Sequence, residues 1–191
     1  MPKLVLGAVA AAIAMFITGF IFFATPLGQI AYGSATEAQQ AAVQNALAAN
    51  LSGTATYVVP SPDTPATTVL FGKGPVATVH YNSAGFSVAS PDALIAGLVL
   101  DLIVALLIGL ALYGVAGRVT QFVDRVRLLV LFSVAALLIG LVSDSVWLHV
   151  DWVYTLYAFV GSLAMLVVGG LVIIRWFLPA AAVAAASAEQ V

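Results

Sequence analysis

The chain has 191 residues, 63% of them hydrophobic and 7% charged, with a mean hydropathy of +1.13. A water-soluble domain carries roughly a quarter charged residues, so the excess apolar surface argues for lipid as the surrounding medium. The net charge of −2 leaves no basic footprint for nucleic acid, and the lack of cysteine excludes disulfides, thiolate metal sites, iron–sulfur clusters and covalent haem attachment.

Four apolar runs order the chain. The first, from Leu4 to about Thr25, is about 22 residues long, whereas a secretory signal core has ~7–15. Phe23-Ala24-Thr25-Pro26 is also a poor cleavage site, so an uncleaved membrane anchor is predicted over residues 1–25.

An insert follows over 26–90. Ser34-Ala35-Thr36-Glu37 fits a capping box with Ser34 as N-cap and Glu37 three positions on. A helix is expected over about 35–50, with Val43, Leu47 and Leu51 on one face and Gly53 beyond its end. Two strand-like runs, about 54–59 and 76–81, are separated by a stretch punctuated with Pro and Gly, and a small β-hairpin or ribbon is expected. The insert has few large apolar groups, so it is expected to lean on the membrane helices or on a partner.

Ser90-Pro91-Asp92 opens the second run, which reaches about Gly117. Serine can cap, proline suits the first helical position, and aspartate complements the dipole. The third run spans about Leu128 to Trp147 and the fourth about Trp152 to Leu178; a flexible tail is expected over 179–191. Each run approaches or exceeds the ~20 residues that cross a hydrocarbon core. The four-residue link 148–151 makes the last two helices an antiparallel hairpin, and the short Arg118–Arg127 link predicts that the second and third are neighbours as well. Lys3, Arg118, Arg125, Arg127 and Arg175 share one side in a four-span arrangement, with only Lys73 opposite. The positive-inside rule then puts both termini in the cytoplasm and residues 26–90 outside, and the aromatic residues Trp147, Trp152, Tyr154, Tyr157 and Trp176 mark the interfaces.

Asp101 is the most informative single residue, because a carboxylate amid Leu100, Leu102 and Ile103 costs several kcal/mol unless protonated, paired or wet. Counting inward from the helix ends places Asp101 near the level of Ser143, Asp144, Gly161, Ser162 and Thr18. One reading is a polar layer in which Asp101 and Asp144 share a proton, able to relay protons or bind a cation. The other is that Asp144 simply meets outer water while Asp101 hydrogen-bonds a neighbouring helix as interhelical glue. His149-Val150-Asp151, with Asp144 and His80, could make an outward N/O metal site, but the spacing fits a solvated interfacial loop better. Small residues Ala105 and Gly109, and Gly161 and Gly169, lie at four- or eight-residue spacing and suit close helix packing. No nucleotide-binding, hydrolase or metalloprotease motif is present, so no cofactor is expected.

The anchor ending Phe16-Ile17-Thr18-Gly19-Phe20, the helix ending in Asn50, Gly53-x-x-x-Tyr57-x-x-Pro60, Gly74-Pro75 before a strand, and the aromatic loop around Trp147 form a pattern. In this plan the chain resembles a group of uncharacterised bacterial four-span inner-membrane proteins with a periplasmic insert after the first helix. The resemblance implies topology and no mechanism.

The fold expected is an all-α membrane protein, a four-helix transmembrane bundle with a small extracytoplasmic α+β insert. The expected role is non-enzymatic: an accessory or structural subunit of a larger membrane assembly, in contact with lipid and with other membrane subunits or copies of itself. The alternative is a small proton- or cation-handling protein built on Asp101 and Asp144.

Overall fold

The structure, a computed structural model, describes residues 2–178. In chain order its regular elements are α1 (Pro2–Gly19), α2 (Glu37–Asn50), β1 (Ala55–Val59), α3 (Pro65–Lys73), β2 (Ala77–Tyr81), α4 (Pro91–Val115), α5 (Phe122–Leu137), α6 (Ser143–Trp147) and α7 (Trp152–Trp176). Two compact units result: residues 34–90, and the helices on either side of them. The expected tail at 179–191 lies outside the described residues.

Among the described residues, four helices are long and apolar enough to cross a membrane: Pro2–Ala24, Pro91–Val115, Phe122–Trp147 and Trp152–Trp176. The first and third are not uniform. Phe20–Ala24 and Leu138–Val142 are π-helical turns, which widen the helix and loosen its backbone ladder. The carbonyl of Phe22 in the first of these accepts the hydroxyl of Tyr157 on α7. The rings of Phe22, Phe23 and Tyr157 lie 6.1–6.4 Å apart around that bond. A 3₁₀ segment, Pro26–Ala31, follows, capped by Thr25, and Tyr32 stacks near Tyr154 with centroids 5.6 Å apart. Residues 26–33 therefore belong with the helices, and the second unit begins at Ser34.

Helix α1 is the centre of the first unit. Its buried residues Leu4, Gly7, Ala8, Ala11, Ala12 and Met15 recur at three and four positions, one continuous stripe of a 3.6-residue helix. It packs against both α7 and α4, while α5 packs against α7. The approaches are close because glycine leaves room. A Cβ on Gly109 would stand 2.9 Å from Leu4, and one on Gly169 would stand 2.6 Å from Met15. A Cβ on Gly170 would collide with Leu129.

The expected adjacency of the second and third long helices is not found: α4 and α5 scarcely touch. The small-residue face of α4, Ala105 and Gly109, is taken by α1, and Leu129 of α5 seats on Gly170 of α7 instead. A short link constrains where helices start, not which faces fit. The link is also shorter than expected, because α5 begins at Phe122 and includes Arg125 and Arg127. Arg125 is buried and donates from Nε to the Val119 carbonyl (2.7 Å) and from Nη2 to the Ala116 carbonyl (3.2 Å). Those bonds satisfy carbonyls left open where α4 ends.

The second unit holds an antiparallel hairpin in which Ala55 pairs with Tyr81 and Val59 with Ala77. Thr54 bonds Ser83 (3.0 Å), and the Tyr57 and Tyr81 rings meet edge-on at 6.3 Å. The capping box of α2 is Thr36 with Gln39, two residues past the expected Ser34 and Glu37. Gln39 supplies the acceptor for the Thr36 N–H at 2.9 Å. Between the strands stands a helix that the Pro- and Gly-rich composition concealed, α3, started by Thr64 with Pro65 in its first turn and Thr67 closing a second capping box. None of the residues from Ser34 to Ser90 is buried.

Close packing predicts opposite signs for two glycines. Gly170→Val should lower unfolding stability in detergent by about 1–3 kcal/mol, the usual cost of overpacking. Gly114→Ala, where a Cβ meets nothing within 4 Å, should raise it by roughly 0.5–1 kcal/mol through helix propensity. Denaturant titration followed by circular dichroism measures both.

Candidate functional site

The candidate site is the buried polar group of the helical unit, Asp101. It lies on the face of α4 that carries Gly97, Ala105 and Gly109, spaced four residues apart. That face is turned to α1, since Gly97 has Phe16 beside it and Gly109 has Leu4. Asp101 is 8% exposed, and Ala105, one turn on, is fully buried. By interpolation between these two contacts, Asp101 stands at the level of Ala12, beside the alanine-lined stripe of α1. No hydrogen bond or ion pair of the Asp101 carboxyl group is found among the described residues. The interhelical bond expected of a glue residue is therefore absent from its surroundings.

The residues of the expected polar layer each make local contacts of their own. Gly161 lies against Phe22 and Phe23, and Gly19, next to Thr18, lies against Met165. Thr18 and Ser162 thus stand toward the far end of α1 from Leu4, with the Thr18 hydroxyl bonded to the carbonyl of Ala14 at 2.8 Å. Ser143 bonds back to Ile139 (2.6 Å) across the π-helical turn. Asp144 is exposed, and its carbonyl accepts from Leu148 and Val150 at the end of α6. Its neighbour Ser145 meets Thr155 in the first turn of α7.

The small residues do what their spacing suggests, inside the chain. Ala105 is buried against the core, Gly109 receives Leu4, Gly161 receives Phe23 and Gly169 receives Met15. The histidine constellation resolves into structural parts. Asp151 caps α7 by accepting from the Tyr154 N–H at 2.8 Å, and His149 turns the chain with a φ of 55°. In the hairpin, His80 Nδ1 lies 3.1 Å from the Thr56 hydroxyl. Among the described residues, no group of three His, Asp or Glu side chains is placed to hold a metal ion.

Sequence reasoning missed one buried polar pair, Ser145 with Thr155, whose hydroxyls meet at 2.7 Å. The short 148–151 link was the signal available, because it forces the two helix ends together. It also missed Ser133, buried on α5 with no hydrogen bond among the described residues.

Comparison with protein-family models, with curated protein sequences and with solved structures finds no match.

A carboxyl group without a partner on a largely buried residue contributes no bond to stability and carries a burial cost of up to about 3 kcal/mol. Asp101→Ala should therefore leave the protein at least as stable as the parent, with a gain of roughly 1 kcal/mol in denaturant titration. A loss of more than that would reveal a partner for the carboxyl group.

Proposed function

We propose that this protein is a non-enzymatic accessory subunit of a larger membrane assembly, anchored by four spanning helices and engaging its partner through residues 34–90. The observation that carries this reading is the state of the second unit. It has two capped helices and a paired hairpin, yet none of its residues is buried. A unit without a core gains little from the hydrophobic effect to offset its ordering entropy. Apolar side chains stand open on it, including Val43 at 59%, Leu70 at 52% and Phe86 at 80% exposure. Val43 and Leu47 of α2 face Val79 and Phe86 across a depression of about 640 Å³. A segment of another polypeptide seated there would supply the missing core.

The topology that goes with this reading is both termini in the cytoplasm and 34–90 in the periplasm of a bacterial inner membrane, as the distribution of basic residues suggests. The absence of native cysteine makes the topology simple to test. Ser61→Cys should react with an impermeant maleimide added outside, and Gln121→Cys only after the membrane is opened. The reverse labelling pattern would overturn the orientation.

The subunit reading predicts that protein extracted in mild detergent travels with a second, defined polypeptide. Val43→Ser combined with Phe86→Ser should release it while leaving the helical content unchanged. A lone chain by light scattering, or a companion retained by the double variant, would sink this reading.

Asp101 supports a second reading, proton or cation handling by a single intramembrane carboxyl group, since it is buried without a partner. That reading requires Asp101→Asn to abolish ion flux in liposomes. Flux equal to the parent's, or no flux in either, would remove it.

A further inference from the structure

The failure of α4 and α5 to pair leaves a cleft between them. It has a volume of about 440 Å³ and lies in the half of the helical unit nearest the α4–α5 link. Ile108, Leu112 and Val115 form one wall, and Leu129 and Phe132 the other. The α5 span is the least covered of the four, with 11% of its apolar stretch buried against 33% for the first and last. Ser133 also lines the cleft; it is 7% exposed and has no hydrogen bond among the described residues. A hydroxyl without a protein partner that opens onto an otherwise apolar cleft points to an acceptor supplied from outside the chain.

Three observations identify that occupant. The first is size. With roughly 30 Å³ for a methylene-sized group, the liquid volume of one water, the cleft holds on the order of 15 such groups, one acyl chain. A helix is ~10–12 Å across and would need roughly twice the volume over the same two turns. The second is charge. The segment closing the cleft carries Arg118, Arg125 and Arg127 against one acid, Asp124. Arg118 and Arg127 are exposed, and neither side chain has a hydrogen bond or ion pair among the described residues. Basic residues at the end of a gap between spanning helices are suited to anionic headgroups. The third is the position of Ser133, six residues along α5 from Arg127, a rise of about 9 Å. That spacing suits a glycerol ester carbonyl lying below a phosphate held at the arginines.

We propose that the α4–α5 cleft is a binding site for one anionic phospholipid, with an acyl chain against Leu112 and Phe132, an ester carbonyl at Ser133 and the phosphate at Arg118 and Arg127. The site is independent of the subunit role, because it involves no residue of the 34–90 unit.

Native mass spectrometry of the full chain in detergent tests it, titrated with phosphatidylglycerol or with phosphatidylethanolamine of the same acyl chains. One phosphatidylglycerol should bind at a concentration at least fivefold below that needed for phosphatidylethanolamine. Arg118→Gln with Arg127→Gln should erase that preference. Ala111→Trp with Ala136→Trp, both at exposed positions lining the cleft, should remove binding of both lipids. Phosphatidylglycerol with a photoreactive acyl chain, applied to the unaltered protein, should label residues 108–115 and 128–136 and settles the matter if the tryptophan variant does not fold. Labelling elsewhere, equal affinity for the two lipids, competition by millimolar inorganic phosphate, or a second copy of the chain in place of lipid would overturn the proposal.

Discussion

The close approach of α1 to α7 and α4 is the constraint on which the helical unit depends. Lipid tails are as apolar as leucine, so helices within a membrane gain nothing by hiding hydrophobic surface and associate through van der Waals contact instead. Here that contact is made by Ala8, Ala11 and Ala12 on one side and by glycines on the others, with Leu4 on Gly109 and Met15 on Gly169. Helix α1 is thereby committed on two faces, and α4 and α7 each have their small-residue face filled. Helix α5 has the one seat left, Leu129 on Gly170. The cleft beside α4 is a consequence of this order of packing, not a separate feature.

The buried polar groups divide by the same logic. Those near helix ends have partners: Arg125 holds the open carbonyls after α4, Ser145 meets Thr155, and Tyr157 reaches the Phe22 carbonyl in the π-helical turn. Asp101 and Ser133 lie within helices, where the backbone is self-satisfied, and each faces small or apolar neighbours. Asp101 lies on the face of α4 turned to α1, whereas Ser133 opens onto the cleft. The two residues thus pose different chemical questions. The first concerns the protonation of a group held in place by packing, and the second concerns a ligand.

The unit at 34–90 obeys local rules almost entirely. Thr36 and Gln39, and Thr64 and Thr67, start its helices, and the hairpin register is carried by backbone pairing with Tyr57 and Tyr81 in contact. What it lacks is the long-range apolar burial that ordinarily follows from such elements.

Much of this was legible in the sequence. Hydropathy over ~20-residue windows placed all four long helices, because an apolar run in lipid has only the helix to satisfy its backbone. Turn residues and β-rich runs placed both strands, and alanine and glycine spacing marked the faces that pack. Local signals were also present, though unread, for α3 in Thr64-Pro65 and for the true cap of α2 in Thr36 and Gln39. Helix partnership was not legible. The second and third helices looked adjacent because a short link suggests it, yet which faces meet depends on steric fit between residues far apart in sequence. Composition and periodicity determine that a segment is a spanning helix. Only the tertiary structure decides which glycine receives which side chain, and with it where the bundle leaves a gap.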